Sequence, residues 1–260
     1  PQISALSSTL AAGMSTTAIA GFSTSQIQAL SAANLSALDS TQAGSLTTTQ
    51  ISTFTSTQVG GLSATDIDEL SSTQTRAFTA TQISRLSAGA VASLDTTQVG
   101  ALSTTQIQAL TSTHLNGLDV ADISEFTTTQ VAALTVAQIG ALSSTLTSAF
   151  SSAQIAALQT TQVQALTNTK IAALDSTQLN ALTTTQVGAL TTAQIGGLNS
   201  TTLDTLTSTQ SRALTAAQVR SLSTASTIKG RISPNETVTQ SSPASFLVGI
   251  TRDSTSTGPR

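Results

Sequence analysis

The sequence is unusual first for what it lacks. Its 260 residues include no cysteine, tryptophan or tyrosine, and charged residues make up only 8% of the chain. Without cysteine, disulfides and thiolate metal sites are excluded. A formal net charge of -3 without any basic cluster argues against a nucleic-acid partner. No run of about 18 apolar residues is present, so we expect no segment that spans a membrane.

Most of the chain is one eight-residue unit repeated without insertion or deletion. Two copies stand side by side in residues 182–197, which read LTTTQVGA and LTTAQIGG. We name the positions a to h, starting from the leucine. Position a is Leu, Phe or Met in every octad from Leu6 to Leu222, and position f is mostly Ile, Val or Leu. Such strict apolar periodicity is typical of stacked repeats and not of disordered chains.

Position b of the octad carries a helix-capping residue. It is Ser, Thr, Asp or Asn in every octad but one, where it is Gln159. These side chains accept a hydrogen bond from an early backbone N–H of a helix. Position e, three residues later, is most often Gln, which completes a capping box by reaching back to the N–H of residue b. The apolar residues at a and f are then the two halves of a hydrophobic staple. The octad therefore predicts about six helical residues and a two-residue corner.

The same pattern predicts the core. Leu at a, Ile or Val at f and Ala at h should fill a continuous interior, because helices of one turn are marginal alone and must be stabilised by stacking. In two representative stretches the predicted core residues are Leu102, Ile107, Leu110, Leu182, Val187 and Leu190. The predicted helix caps in those stretches are Ser103 with Gln106 and Thr183 with Gln186.

Departures from the octad consensus predict the length of one superhelical turn. Residues other than Gln at e mostly recur after 24 or 32 residues. Asp or Asn at b recurs after 80 residues, as in Asp39, Asp119 and Asn199. We predict roughly three to three and a half octads per turn, or about 27 residues. An old duplication of an 80-residue block would explain the same spacing without a geometric cause.

These features predict an all-α repeat solenoid of short, one-to-two-turn helices. A β-solenoid is the alternative fold, because Thr, Val and Ile favour strands. Burial of a strand, however, requires alternating apolar residues, whereas residues 102–109 place theirs at a, f and h. A circular dichroism spectrum of pure β-structure would contradict the helical prediction.

The octad pattern stops after Leu222. Residues 227–233 and 244–251 resemble strands and are separated by a turn signal at Pro234-Asn235. The sequence thus predicts a solenoid over residues 1–226 and a C-terminal segment, residues 227–260, with a small β-like element. This segment either caps the last turn or adds a strand to another subunit. For the second case the predicted assembly residues are Phe246, Leu247, Val248 and Ile250.

Chemistry beyond packing is sparse in this sequence. No catalytic constellation is visible, so we expect neither an enzyme nor a cofactor. The single histidine, His114, occupies an e position, where helix capping explains it. The acidic residues within 66–69 and 119–125 lack the spacing and the glycine of a calcium loop, so we predict no metal site.

The unit L-[ST]-[ST]-[TA]-Q-[IV]-x-A covers about residues 3–226 and resembles octapeptide-repeat regions of large secreted or surface proteins of bacteria, described as adhesin-like. The resemblance implies an extracellular or cell-surface location and a structural or adhesive role, and it transfers no functional residue.

We therefore expect an extracellular structural protein, namely a rod, a filament or matrix subunit, or an adhesin stalk, that associates with itself head to tail. The alternatives are an ice-binding protein, based on the Ser/Thr array at b, c and d, and a carbohydrate-binding adhesin module with an unidentified surface glycan. Ala33 and Gly89 interrupt the threonines at d. Thermal hysteresis in a freezing assay would favour ice binding.

Overall fold

The protein is described by a computed structural model, which covers residues 3–228. Within that range the regular secondary structure is helical, and no strand occurs. The predicted all-α fold class is confirmed. The chain divides into two compact units, Pro1–Leu158 and Gln159–Arg260.

The described part of the first unit contains one 3₁₀ helix, Ile3–Ala5, and the helices α1 to α19. Their bounds are α1 Ser8–Ala12, α2 Thr16–Ala20, α3 Thr24–Ala29, α4 Ala32–Leu35, α5 Ser40–Gly44, α6 Thr48–Ser52, α7 Ser56–Gly60, α8 Ala64–Asp68, α9 Ser72–Ala77, α10 Ala80–Ile83, α11 Ala88–Ala92, α12 Thr96–Ala101, α13 Thr104–Ala109, α14 Ser112–Gly117, α15 Val120–Glu125, α16 Thr128–Ala133, α17 Val136–Ala141, α18 Ser144–Ser148 and α19 Ser152–Ala157.

The described part of the second unit, up to residue 228, contains the helices α20 to α27. Their bounds are α20 Thr160–Ala165, α21 Asn168–Ala172, α22 Ser176–Ala181, α23 Thr184–Ala189, α24 Thr192–Gly196, α25 Ser200–Asp204, α26 Ser208–Arg212 and α27 Ala216–Ile228.

The helices follow the octad register. Each one begins at position c, directly after the capping residue at b. At a typical corner Leu102 has φ -60 and ψ 133, and Ser103 has φ -70 and ψ 160, so two extended residues separate consecutive helices. Helices of four to six residues, the lengths of α10 and α12 for example, are too short to be stable alone. Stability therefore has to come from contacts between turns.

Within each unit, helices pack mainly against the third helix along the chain. In the first unit α9 packs against α12 and α12 against α15; in the second, α20 packs against α23 and α24 against α27. Side-chain hydrogen bonds between turns join residues 25 to 31 positions apart. A common separation is 28 residues, or about three and a half octads. The predicted turn length is confirmed, and the half-octad offset places each helix over a corner of the preceding turn.

The buried positions of the octad are a, e and f. Ile107 at f is 0% exposed, and Leu102 at a is 4% exposed. The prediction that Ala at h lies in the core is wrong, because every described h position is half-buried or exposed. The reason is helical geometry. At about 100° per residue, e and the next a lie on one side of f, whereas h points about 160° away from f.

The end of the repeat differs from the predicted strand. Helix α27 continues to Ile228, so Thr227 and Ile228 are helical and not the start of a strand. In the last octad, which begins at Leu222, position e is Ser226 and not the usual Gln. The sequence of this octad therefore lacks the capping-box pair that marks the start of a new helix. The rest of the predicted β-like element, including Phe246, Leu247, Val248 and Ile250, lies outside the described residues.

Candidate functional site

The side chain at position e connects successive turns, and we call it the rung. Gln98 shows how a rung works. The side-chain Oε1 of Gln98 accepts from the backbone N–H of Asp95 at 2.9 Å, and the backbone N–H of Gln98 donates to Asp95 Oδ1 at 2.7 Å. Its Nε2 donates to the carbonyl oxygens of Ile67 at 2.9 Å and Leu70 at 2.6 Å, both on the preceding turn. One amide thus caps the start of α12 and the end of α8.

The same double role recurs throughout both units. In each case Nε2 donates to the carbonyl oxygens 31 and 28 residues earlier. We call these side chains together the glutamine ladder. Its described members are Gln42, Gln50, Gln58, Gln74, Gln82, Gln98, Gln106, Gln130, Gln138 and Gln154 in the first unit and Gln194, Gln210 and Gln218 in the second.

The ladder solves a problem that very short helices create. Every helix leaves backbone donors at its start and acceptors at its end without intrahelical partners. A chain with a corner in every octad has an unusually large number of such groups. The rung amide supplies an acceptor for the first set and donors for the second. Among the described residues, no buried side-chain nitrogen or oxygen lacks a hydrogen-bond partner.

The predicted core and cap residues occur in both units and have the same contacts within each. Ser103 Oγ accepts from the N–H of Gln106, and Gln106 Oε1 accepts from the N–H of Ser103 at 2.7 Å. Thr183 and Gln186 form the same pair in the second unit. The six predicted core side chains are at most 5% exposed: Leu102, Ile107, Leu110, Leu182, Val187 and Leu190. Leu102, Ile107 and Leu110 belong to the first unit, and Leu182, Val187 and Leu190 belong to the second.

Sequence reasoning assigned Gln only to the capping box and not to a ladder; the structure gives it both roles. A signal for the second role was present in the sequence. Glu completes a capping box as well as Gln does, yet no octad has Glu at e. A carboxylate accepts but cannot donate. The use of Gln and never Glu therefore indicates that the side chain at most e positions also donates a hydrogen bond.

Some rungs are not glutamine, and three of them are ionisable and buried. His114 is 5%, Asp122 7% and Lys170 6% exposed. Burial lowers the pKa of His114, against an opposing hydrogen bond from its ring to the Leu86 carbonyl. Burial also raises the pKa of Asp122, although the hydrogen bond from the N–H of Asp119 acts in the opposite direction. The pKa of Lys170 is lowered by burial.

At two h positions, close contact between turns depends on glycine. A Cβ atom added to Gly61 would lie 2.6 Å from Cβ of Ala32 on the preceding turn. In the second unit, a Cβ on Gly197 would lie 2.7 Å from Cγ of Asn168. Both distances are shorter than van der Waals contact. At these two positions glycine permits the observed spacing of the turns.

An open groove lies on the surface of the first unit. Its volume is about 310 Å³, and it is lined by Arg76, Gly100, Thr104 and Thr129 among others. The Arg76 guanidinium and the hydroxyls of Thr104 and Thr129 make no hydrogen bond or ion pair within the described chain. No acidic residue lines the groove. It therefore presents a positive charge and free hydroxyl groups to solvent.

In the part of the chain that the structure describes, no three His, Cys, Asp or Glu side chains are grouped closely enough to hold a metal ion. No helix between residues 3 and 228 has the length and apolar composition needed to cross a membrane.

Comparison with known proteins identifies one repeat. A family model described as the ALTTAQ repeat matches residues 164–192. The matched segment lies in the second unit, and the letters of that name occur in the sequence at residues 189–194. The match supports a repeat region in this chain. No curated protein matches the sequence.

Proposed function

We propose that this chain is an extracellular structural protein, serving as a rod, a filament or matrix subunit, or the stalk of an adhesin. One observation carries the proposal. The buried polar side chains are committed to holding turns together, as in Gln98, whose amide joins the starts and ends of helices on adjacent turns. A scaffold built in this way gains length by adding octads and needs no new interaction for each addition.

Self-association follows from the same chemistry. Each turn presents donors in one direction and acceptors in the other, so contact between chains would reproduce the contact between turns. In the first described turn of this chain, Leu10 holds the rung position of α1 and is 62% exposed. Leu10 is thus the apolar contact that we assign to a second chain, and head-to-tail contacts of this kind are open-ended.

Analytical ultracentrifugation and electron microscopy test this proposal. We expect the sedimentation coefficient to rise with concentration and Leu10→Glu to suppress the rise. Val120→Glu is the matched control, because Val120 is also exposed, at 49%, but lies at position c and not at a rung. A chain that stays monomeric at every concentration would contradict the filament and leave the stalk as the structural role.

The extracellular location rests on the resemblance of the repeat. The lack of cysteine is compatible with it, because such a chain needs no oxidative folding. Protease treatment of intact producing cells tests it. Degradation of the protein without lysis of the cells is the expected result, and full protection would contradict a surface location.

The groove beside Arg76 supports a second candidate function, binding of an acidic saccharide. The guanidinium can hold a carboxylate through two parallel hydrogen bonds, and the hydroxyls of Thr104 and Thr129 can pair with sugar hydroxyls. A volume of about 310 Å³ is at the lower end of the range for small-molecule sites. One sugar ring that carries a carboxylate offers partners for both the guanidinium and the hydroxyls.

Titration calorimetry with a hexuronate tests this second function, with a neutral hexose and acetate as comparison ligands. We expect binding of the hexuronate alone and its loss in Arg76→Gln. Arg212→Gln is the control, because Arg212 is an exposed arginine at the same octad position in the second unit. Equal binding by both variants, or equal affinity for acetate, would contradict a saccharide site.

A further inference from the structure

One rung of the first unit is held by a residue that changes its charge near neutral pH. His114 fills position e of α14, where most octads have Gln. Its Nδ1 accepts from the N–H of Thr111 at 3.3 Å, and its Nε2 lies 3.0 Å from the carbonyl oxygen of Leu86, 28 residues earlier. The imidazole thus reproduces both connections of a glutamine rung, although it reaches only one carbonyl of the preceding turn.

These two contacts fix the protonation state of the ring. A carbonyl oxygen can only accept, so Nε2 must carry a hydrogen, and a backbone N–H can only donate, so Nδ1 must be bare. The rung is therefore formed by one neutral tautomer of His114. A second proton would have to enter at Nδ1, where it would face the N–H of Thr111, and two donors cannot form a hydrogen bond.

We propose that the His114 rung is an acid-sensitive opening point of the first unit, at which protonation of the imidazole releases the start of α14 from its capping box. The chain contains a single histidine, so no other side chain of this type titrates with it. Glutamine rungs do not titrate. Protonation of His114 therefore acts on one defined turn and leaves the glutamine rungs unchanged.

No charged group stands against the ring to keep the proton bound. The two helices with the most extensive packing against α14 are α11 and α17, and neither contains a titratable residue. Arg85 adjoins Leu86 in sequence, and along the chain the charged residues nearest to His114 are Asp119, Asp122 and Glu125 of the next octad. Burial accordingly lowers the pKa of His114, and only its hydrogen bond to the Leu86 carbonyl opposes this effect.

The sign of the effect follows from linkage. The folded pKa of His114 lies below its unfolded value of about 6.5, so the opened chain binds the proton more readily than the closed one. The stability that the rung contributes is complete above about pH 6.5 and declines as the pH falls toward the folded pKa. Over that interval the opening equilibrium of α14 should rise by up to about tenfold per pH unit.

Amide hydrogen exchange of the full chain between pH 7.5 and pH 5 tests the proposal, with rates corrected to protection factors. In the wild type, we expect the protection factors of the backbone amides at positions 111 and 114 to decrease as the pH is lowered. In His114→Gln, which restores the standard rung, we expect them to stay constant. Asp122 and Glu69 titrate equally in both proteins, so the difference between the two profiles belongs to His114. Identical profiles would overturn the proposal.

A measurement on the wild type alone decides the question if the variant does not fold. Nitrogen-15 NMR of the His114 ring should show the Nε2–H tautomer at pH 7.5 and a titration midpoint below 6.5, accompanied by loss of the Thr111 amide's protection. A midpoint at or above 6.5, or an imidazolium with Thr111 still protected, would overturn the inference.

Discussion

Helices α12 and α13 have glutamine rungs, whereas the next two helices, α14 and α15, have His114 and Asp122. All four helices begin with a capping residue and a reciprocal capping box. They differ in what reaches the preceding turn. Gln98 and Gln106 each donate to carbonyl oxygens on that turn, and His114 contacts one, but an ionised Asp122 has no hydrogen to donate. The capping role therefore tolerates any acceptor, and the role between turns requires a donor.

Removal of a core side chain should destabilise the glutamine-rung helices (α12 and α13) and the helices α14 and α15 equally, because the two pairs differ in their rungs and not in their cores. Ile107 in α13 and Ile123 in α15 are both 0% exposed at position f. Truncation to alanine at either site should lower the free energy of unfolding by about 2–5 kcal/mol, the usual effect of a cavity left by a buried isoleucine. Urea denaturation measures both. A clear difference between the two losses would show that rung chemistry affects core packing.

Gln98→Glu removes the hydrogen bonds to the preceding turn but keeps an oxygen that can accept from the N–H of Asp95. The new carboxylate would face the carbonyl oxygens of Ile67 and Leu70 with no hydrogen to donate, and its charge would be buried. We expect a loss of about 2–4 kcal/mol in the free energy of unfolding at neutral pH. Gln108→Glu is the control, because Gln108 is exposed and should change stability by less than about 0.5 kcal/mol. Equal effects of the two changes would contradict the ladder.

Asp122→Gln should make a weak rung into a standard one. The new amide would keep the bond from the N–H of Asp119 and add donors toward the preceding turn, so we expect a gain of about 1–2 kcal/mol at pH 7. Because the folded pKa of Asp122 is raised, the wild type is most stable, relative to the variant, below the unfolded pKa. It loses that contribution as the pH rises through the folded pKa.

The advantage of Asp122→Gln should therefore grow from pH 4 to pH 7 in thermal or urea unfolding. Gln138→Asp is the reciprocal change at a glutamine rung and should produce the opposite dependence. A gain that stays constant across this range would mean that the carboxyl group is not the cause.

Removal of the cap alone should have the smallest effect, and it should be the same in both regions. Ser103→Ala and Thr111→Ala each remove one side-chain acceptor and should cost about 1 kcal/mol. Thr104→Ala is the matched control, since its hydroxyl has no hydrogen-bond partner within the described chain. Urea unfolding that shows no loss for Ser103→Ala would contradict the helix-capping role.

The parts of the fold that could be predicted are those encoded within one octad. Ser103 and Gln106 are three residues apart, so their pairing follows from local sequence. The contacts of Gln106 with the carbonyls of Thr75 and Phe78 involve residues 31 and 28 positions away, and no local pattern contains them. Only the exclusion of Glu at e pointed to a donor. The prediction that Ala at h is buried was wrong because Ala is both apolar and small. Gly61 shows that small size, and not apolar character, can be what an h position requires.

The half-octad offset between turns also affects how the fold carries load. Because 28 residues is not a whole number of octads, the corners of one turn do not lie directly above those of the next. Corners on successive turns are therefore staggered, and no line of corners runs continuously from one turn to the next. A pulling force within either unit cannot separate a column of helices along a line of corners. Such a force must first break the two hydrogen bonds by which a rung such as Gln98 holds the corner of the preceding turn.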